Sequence, residues 1–157
     1  MTDERIRPAV AADVPEVKAV IDAAFRPYIA RIGAVPAPMG ADHAANVAAG
    51  TVFVVRGPAG AAGTARVTGL VVVEPREDHL WLDVVAVRPD AHGTGTGRLL
   101  LEFAEARARA LGLPEIRLCT HAMMWENQRI YPKFGYEVVG REVSGPHDRI
   151  HYRKRLG

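Results

Sequence analysis

One cysteine, Cys119, is all the thiol this 157-residue chain carries, which excludes a disulfide framework within it. An excess of charge is lacking too: 20 basic against 18 acidic residues leave a net +2. That is too little to imply a nucleic-acid groove, and the basic end "HYRKRLG" is too short to change the conclusion. No apolar run approaches the roughly 18 residues that suggest a membrane span, and the opening "MTDERIRPAV" has no apolar signal core. The six histidines fall in no HExxH or comparable ligand spacing. His147 and His151 are four apart, but in a predicted turn and strand. These absences predict a cytoplasmic protein with no metal, no membrane association and no nucleic-acid partner. What is present, 48% hydrophobic and 24% charged residues, suits one globular domain over residues 1–157 around a single core.

Along the chain, "RIRPAV" predicts a short strand. "AADVPEVKAVIDAAF" predicts an amphipathic helix with Val14, Val17, Val20, Ile21 and Phe25 on one face, Asp13 as N-cap and Pro15 in the first turn. The segment "RPYIARIGAVPAPMGADHAANVAAG", broken by Gly and Pro, holds a second helix at "DHAANVAA"; a loop of this length is often a binding loop. "TVFVV" and "RVTGLVVVEP" flank the turn-rich "RGPAGAAGTA" as an antiparallel hairpin, and "HLWLDVVAV" is the next strand. A helix is expected in "GRLLLEFAEARARALGL", with Leu99, Phe103, Ala106 and Ala110 as its buried stripe, broadened by Leu100 and Leu111. Gly112 and Pro114 close it. "EIRLCTH" is a strand, "MWENQRIYPKFG" a short helix, and "YEVVGREV" with "RIHYRKRL" a closing hairpin across "SGPHD". The fold class is α+β with a mostly antiparallel sheet. One crossover, from "LDVVAV" to "IRLCTH", should join parallel strands in a right-handed unit.

"VRPDAHGTGTGRLL" puts Gly93, Gly95 and Gly97 at the mouth of the long helix, although glycine inside an element costs about 0.5–1 kcal/mol against alanine. Such a turn exposes several main-chain N–H groups that the helix cannot satisfy. The helix dipole adds positive charge there, so the place suits phosphate. The spacing is not the dinucleotide fingerprint G-x-G-x-x-G, whose last position falls on Arg98 from Gly93 and on Leu100 from Gly95. Nor is it a Walker loop, because the sixth position from Gly93 is Arg98. Nicotinamide cofactors and ATP are therefore disfavoured.

The stretch resembles the pyrophosphate loop of the GNAT superfamily of N-acetyltransferases. That loop reads Gln or Arg, two residues, Gly, one residue, then Gly or Ala, after a strand ending in V-x-P. Here "AVRP" supplies Val87 and Pro89, His92 stands at the first position, and Gly95 and Gly97 take the glycine positions. "MWENQRIYPKFGYEVVGR" is similar to the family's second block, with Asn127, Tyr131, Lys133, Gly135 and Tyr136 in place, and "RIGAVPAPM" resembles one group of small bacterial members. The likeness is strong over Leu80 to Arg141 and follows the element order from Ile6 to Leu156. It implies the GNAT fold: about seven strands, with a parallel fourth and fifth splayed around the cofactor, and about four flanking helices. It also implies acetyl-CoA as cosubstrate and transfer of its acetyl group to a primary amine of a small metabolite, peptide or protein. The amine would attack directly, with no covalent enzyme intermediate. Many relatives pair, so a homodimer is allowed.

By position, the resemblance assigns the pantetheine arm to the main chain of Val85, Ala86 and Val87, pairing as an added strand would. It assigns the diphosphate to His92, Gly93, Thr94, Gly95, Thr96, Gly97 and Arg98. A nearby N–H would polarise the thioester carbonyl, worth about 3–4 kcal/mol in a well-formed hole. Tyr131 matches the residue that protonates the departing thiolate, as a phenol of pKa near 10 can at neutral pH; otherwise it packs the short helix on the core. Asn127 either bonds the pantetheine arm or caps that helix.

The base for the amine is less defined. Asp83 faces the gap, with Trp81 and Val85 on its side by alternation. It is a base, directly or through water, a partner for the acceptor ammonium, or a polar strand end. Glu126 and His121 are further candidates, with a surface role as the alternative, and Cys119 reads as a small core residue. Residues between Arg26 and Gly50 are expected to wall the acceptor pocket, Arg26, Tyr28 and Arg31 among them. Two other classes stay open: a non-catalytic acyl-CoA sensor or interaction domain, and an unrelated phosphate-ligand module.

Overall fold

Valine-rich segments become strands, buried on both faces at the centre, and the segments between them become helices that cover both faces of one sheet. The computed structural model describes residues 5–59 and 65–157. In chain order the elements are β1 (Ile6–Pro8), α1 (Val14–Phe25), α2 (Tyr28–Ile32), α3 (His43–Ala48), β2 (Val52–Ala59) and β3 (Ala65–Pro75). There follow β4 (Leu80–Val87), α4 (Thr96–Ala110), β5 (Glu115–His121), α5 (Trp125–Lys133), β6 (Glu137–Ser144) and β7 (His147–Arg155). The sheet order is β1-β2-β3-β4-β5-β7-β6. Every neighbouring pair is antiparallel except β4 and β5, which run parallel. This is the α+β, mostly antiparallel arrangement expected, with the crossover helix α4 joining the parallel pair. The turn expected in "RGPAGAAGTA" falls partly on residues 60–64, outside the described residues.

Two cores sandwich the sheet. On one face α1 buries Val17, Val20 and Ile21 against Val54, Leu70, Val72, Val84 and Ala86. On the other, α4 buries Leu100, Leu101, Ala104 and Ala108 against Val71, Leu80, Leu82, Ile116 and Leu118. The α4 stripe is therefore rotated from the expected one, since Ala106, Ala110 and Leu111 are exposed and Leu99 and Phe103 are only partly buried. Alanines lie all round this helix, so hydropathy alone did not fix its phase. The buried alanines let it lie close to the sheet. At its N-terminal end Gly69 does the same, because a Cβ there would meet Thr96 Cγ2 at 2.8 Å and Leu100 Cδ1 at 3.2 Å.

Three further expectations are corrected. Asp13 stands at the α1 cap position, but its own backbone is already helical (φ −82°, ψ −14°) and its side chain makes no cap bond. Its buried carboxylate instead accepts from Arg7 (3.0 Å), Arg56 (2.7 Å) and the Val10 N–H (2.8 Å). The segment after α1, where only "DHAANVAA" was expected to be helical, also holds a short helix, α2. Finally, β4 carries a bulge: Val72 opposes Val84 while Val73 opposes Leu82, leaving Asp83 without a partner residue. The extra residue reverses the alternation. Leu80 and Leu82 face the α4 side, Val84 and Ala86 the α1 side, so Val85 no longer shares a face with Trp81.

Among the described residues, no helix is long and apolar enough to cross a membrane, and no group of three or more His, Cys, Asp or Glu is placed to hold a metal.

Candidate active site

β4 and β5 pair only at Leu80 with Ile116 and Trp81 with Arg117. Beyond those residues the strands splay, and their facing main-chain edges have no strand opposite. Two cavities open along the splay. A groove of about 540 Å³ runs beside Val85, Ala86 and Val87 to the glycine loop and is bounded across from it by α5. A second cavity of about 400 Å³ lies between Trp81–Val85 of β4 and Leu118–His121 of β5. Phe25, Val85, Asn127 and Tyr131 line both, so the cavities meet at these side chains.

The glycine loop forms one end of the groove. Gly93 and Gly95 have φ of +79° and +85°, a region open to glycine and strained for other residues. Gly95 is the N-cap of the 15-residue helix α4. A Cβ at Gly93 or Gly95 would meet nothing within 4 Å, and one at Gly97 only Val87 Cγ2 at 4.0 Å. The wall is thus bare main chain with open space above it, at a positive helix end. A diphosphate fits such a cradle. His92, Gly93, Gly95, Thr96, Gly97 and Arg98 all line the groove; Thr94 does not. The Thr94 hydroxyl turns inward to the Ala91 carbonyl oxygen (2.5 Å) and Thr96 Oγ1 (2.8 Å), shaping the loop. Arg98 stands exposed near Phe134 and Glu102.

On α5, the Tyr131 ring packs on Tyr136 and Tyr152, at centroid distances of 5.6 and 5.7 Å. Burial, then the neighbouring Tyr152 and Cys119, push its pKa well above the usual phenol value, so it stays protonated. The residue packs the helix on the core and also borders both cavities. Asn127 sits in the first turn of α5, where Met124 holds the cap position, which removes the capping alternative. Its Nδ2 donates to the buried Thr120 Oγ1 at 2.9 Å.

The carboxylates separate clearly. Asp83 borders the second cavity and takes a hydrogen bond from Trp81 Nε1 at 3.2 Å. Desolvation raises its pKa above the ordinary value, against the Trp81 hydrogen bond. It keeps accessible surface because it lines a concavity. Glu126 is instead committed to α2: it accepts from Tyr28 (2.6 Å) and Arg31 (2.7 Å), and the Tyr28 bond leads the effects that lower its pKa.

His121 is also engaged. The Met123 N–H donates to its Nδ1 at 3.0 Å, the Asp148 N–H donates to its Nε2 at 3.2 Å, and Nε2 also lies 3.0 Å from the Pro146 carbonyl oxygen. Cys119 lies at the cavity wall with its thiol pKa raised, chiefly by burial.

From the segment between Arg26 and Gly50, the cavity is lined by Ile32, Pro36, Ala37, Pro38 and Ala41. Arg26, Tyr28 and Arg31 do not line it. Sequence reasoning missed Phe25, Thr120 and Arg149 as lining residues. For Arg149 a signal existed: in "HDRIHYR" the residues His147, Arg149, His151 and Arg153 fall on one strand face, opposite Ile150 and Tyr152.

The family profile described as an acetyltransferase (GNAT) domain matches residues 48–138, more than half the chain and both motifs. No curated protein sequence matches significantly. Among solved structures, the PaiA N-acetyltransferase of Thermoplasma acidophilum in complex with coenzyme A is 17% identical, with TM-score 0.78 over 96% of this chain and 98% of that one. An IAA acetyltransferase from Bacillus cereus is 19% identical, with TM-score 0.67 over 96% and 98%. The ribosomal-protein-S18-alanine N-acetyltransferase of Escherichia coli is 16% identical, with TM-score 0.70 over 96% and 92%. At these identities the likeness is one of fold.

Proposed function

The chain belongs to the GNAT family of acetyltransferases, and on that premise we propose that it moves the acetyl group of acetyl-CoA to a primary amine by direct attack. The observation that carries this reading is the meeting of the two cavities at Val85, Asn127 and Tyr131. One cavity ends in a phosphate cradle and the other has room for a small acceptor. When bound, the thioester supplies an activated acyl group.

The chain's own residues do the rest. Main-chain N–H groups from Gly93 to Arg98 hold the diphosphate, and the open edge of β4 at Val85 to Val87 bonds the pantetheine amides. Asn127, steadied by Thr120, stands beside that arm. Phe25, Ile32 and Pro36 wall the acceptor cavity and exclude water from it. At the bulge, the Asp83 carboxylate takes the amine's proton or holds the ammonium; its raised pKa brings proton acceptance closer to neutral pH. Tyr131 Oη keeps a proton at every physiological pH and provides it, or a hydrogen bond, to the leaving sulfur.

Calorimetry with acetyl-CoA, followed by thiol release in the presence of a panel of amines, tests the proposal. Binding and amine-dependent release are expected. Absence of any association at millimolar acetyl-CoA refutes it, and binding without amine-dependent release favours an acyl-CoA sensor.

A further inference from the structure

Opposite charges stand unpaired on the two sides of the second cavity. From β4 comes Asp83, which forms no ion pair among the described residues. From β7 comes Arg149, half-buried, with no carboxylate in ion-pair reach among the described residues. The carboxylates nearest to Arg149 along the sheet are engaged elsewhere. Glu142, directly opposite it across the β6–β7 ladder, contacts His151 Nε2 at 3.3 Å. Asp148, next in sequence, is held by both forks of Arg141.

Cys119 lies between the two groups. Arg149 lowers its thiol pKa electrostatically while Asp83 and Glu142 raise it, so the charged groups converge on one spot of the cavity wall. His121 and His147 pack edge to face at 6.2 Å. His151 stacks toward Trp81 at 6.3 Å. These three imidazoles and Glu142, whose carboxylate contacts His151, complete the charged or chargeable lining. The opposite wall is apolar: Phe25, Ile32 and the Pro36–Pro38 turn. Arg31, a guanidinium of the nearby segment, is already bound to Glu126.

A guanidinium left unpaired beside a cavity presents a fork of donors matched to carboxylate or phosphate oxygens. An unpaired carboxylate on the facing strand attracts an ammonium. We propose that the acceptor is a small amine that also carries an anionic group, carboxylate or phosphate, and that Arg149 binds the anion while Asp83 receives the ammonium. This rests on the acetyl-transfer reading and names its substrate class. A cavity of about 400 Å³ is the right size for such a molecule. It also explains why Arg149, unlike Arg141 and Arg153, is not used for a cross-strand ion pair.

The test compares acceptors in matched pairs: an α-amino acid with its amide, an ω-amino acid with the alkylamine of equal length, and an aminoalkyl phosphate with its amino alcohol. At least one anionic member should exceed its neutral partner in kcat/KM by about 10-fold or more, as expected for a charge-assisted contact. Which pair shows the preference identifies carboxylate or phosphate. Arg149→Gln should abolish the preference through KM, with acetyl-CoA affinity unchanged, and Arg149→Lys should restore part of it. Neutral amines used equally well, an equal slowing of both members by Arg149→Gln, or no use of any anionic amine by protein that binds acetyl-CoA would each overturn the proposal. Failure of the acetyl-transfer reading itself would look different, as wild-type protein that does not bind acetyl-CoA.

Discussion

The Arg31 guanidinium lies 4.4 Å from the centre of the Trp125 ring, and its Nη1 donates to Glu126 Oε1 at 2.7 Å and to the Met123 carbonyl oxygen at 3.1 Å. Tyr28 adds a bond to the other Glu126 oxygen at 2.6 Å. Together these contacts fasten α2 to the first turn of α5. A helix of five residues has no stability of its own, so its place depends on this clasp. Arg31→Ala should therefore free α2, whose Tyr28 borders the groove and whose Ile32 borders the second cavity. Because both partners are partly exposed, global stability should fall by only about 1 kcal/mol or less. The Michaelis constants should rise several-fold. Unchanged constants in a mutant with altered melting temperature would reduce the clasp to a stability contact.

Tyr131 and Asp83 make opposite statements about pH. Burial raises the Tyr131 pKa, so the phenol remains a donor throughout the working range and contributes no alkaline limb below pH of about 10. Asp83 is raised as well, by desolvation, so it becomes charged above the usual carboxylate range and places an acid limb on kcat/KM there. Asp83→Asn should lower the rate and remove that limb. Tyr131→Phe should lower kcat by roughly 100-fold with little change in coenzyme A affinity. An alkaline limb that vanishes in Tyr131→Phe would contradict the protonated-donor role.

Much of this architecture could be read from the residues. The glycines of the α4 loop and the valine-rich strands carry local chemistry that needs no tertiary context, open φ and β-branched runs, whereas the Asn127–Tyr136 block was legible through the resemblance. The splay of β4 from β5 followed from the resemblance alone, because no local rule announces where a parallel ladder stops. The bulge at Asp83 was also silent. "LWLDVVAV" alternates acceptably in either phase, and only pairing with β3 shows that one residue is extra. Likewise the clasp joins Arg31 to Glu126 across most of the chain, so neither residue revealed its partner. Asp13 was misjudged for a related reason. It has the residue type and position of a cap, but two arginines from β1 and β2 compete for it and win.

That competition makes Asp13 a stability determinant with a defined pH signature. Burial alone would raise its pKa, but bonds from Arg7, the Val10 N–H and Arg56 outweigh it and hold the carboxyl below its ordinary value of 3.8. A depressed folded-state value means the unfolded chain takes up the proton first. The contribution is therefore present in full above pH of about 5 and is lost as pH falls below about 4 through the folded-state value. Asp13→Asn should lower the unfolding free energy at pH 7 by about 3 kcal/mol, because two guanidinium groups lose a buried partner. It should also flatten the acid dependence. Urea titrations at pH 7 and pH 3 read both effects, and parallel curves for mutant and wild type would show that the carboxylate is not the acid-sensitive group.

Gly97 separates stability from binding most cleanly. It lies in the first turn of α4 without the positive φ of Gly93 and Gly95, and an added Cβ meets nothing nearer than Val87 Cγ2 at 4.0 Å. Folding therefore does not need glycine there, and replacing it should add up to about 1 kcal/mol of helix propensity. A carboxylate at that position would further favour the helix N-terminus by about 0.3–1 kcal/mol. Gly97→Glu should thus melt at a higher temperature than the wild type. The same carboxylate would cover the amides proposed to hold the diphosphate and repel its charge, so coenzyme A affinity should fall at least about 10-fold, or 1.4 kcal/mol. A mutant more stable than the wild type that binds coenzyme A equally well would remove the loop from the cofactor site, because neither misfolding nor strain could then account for the result.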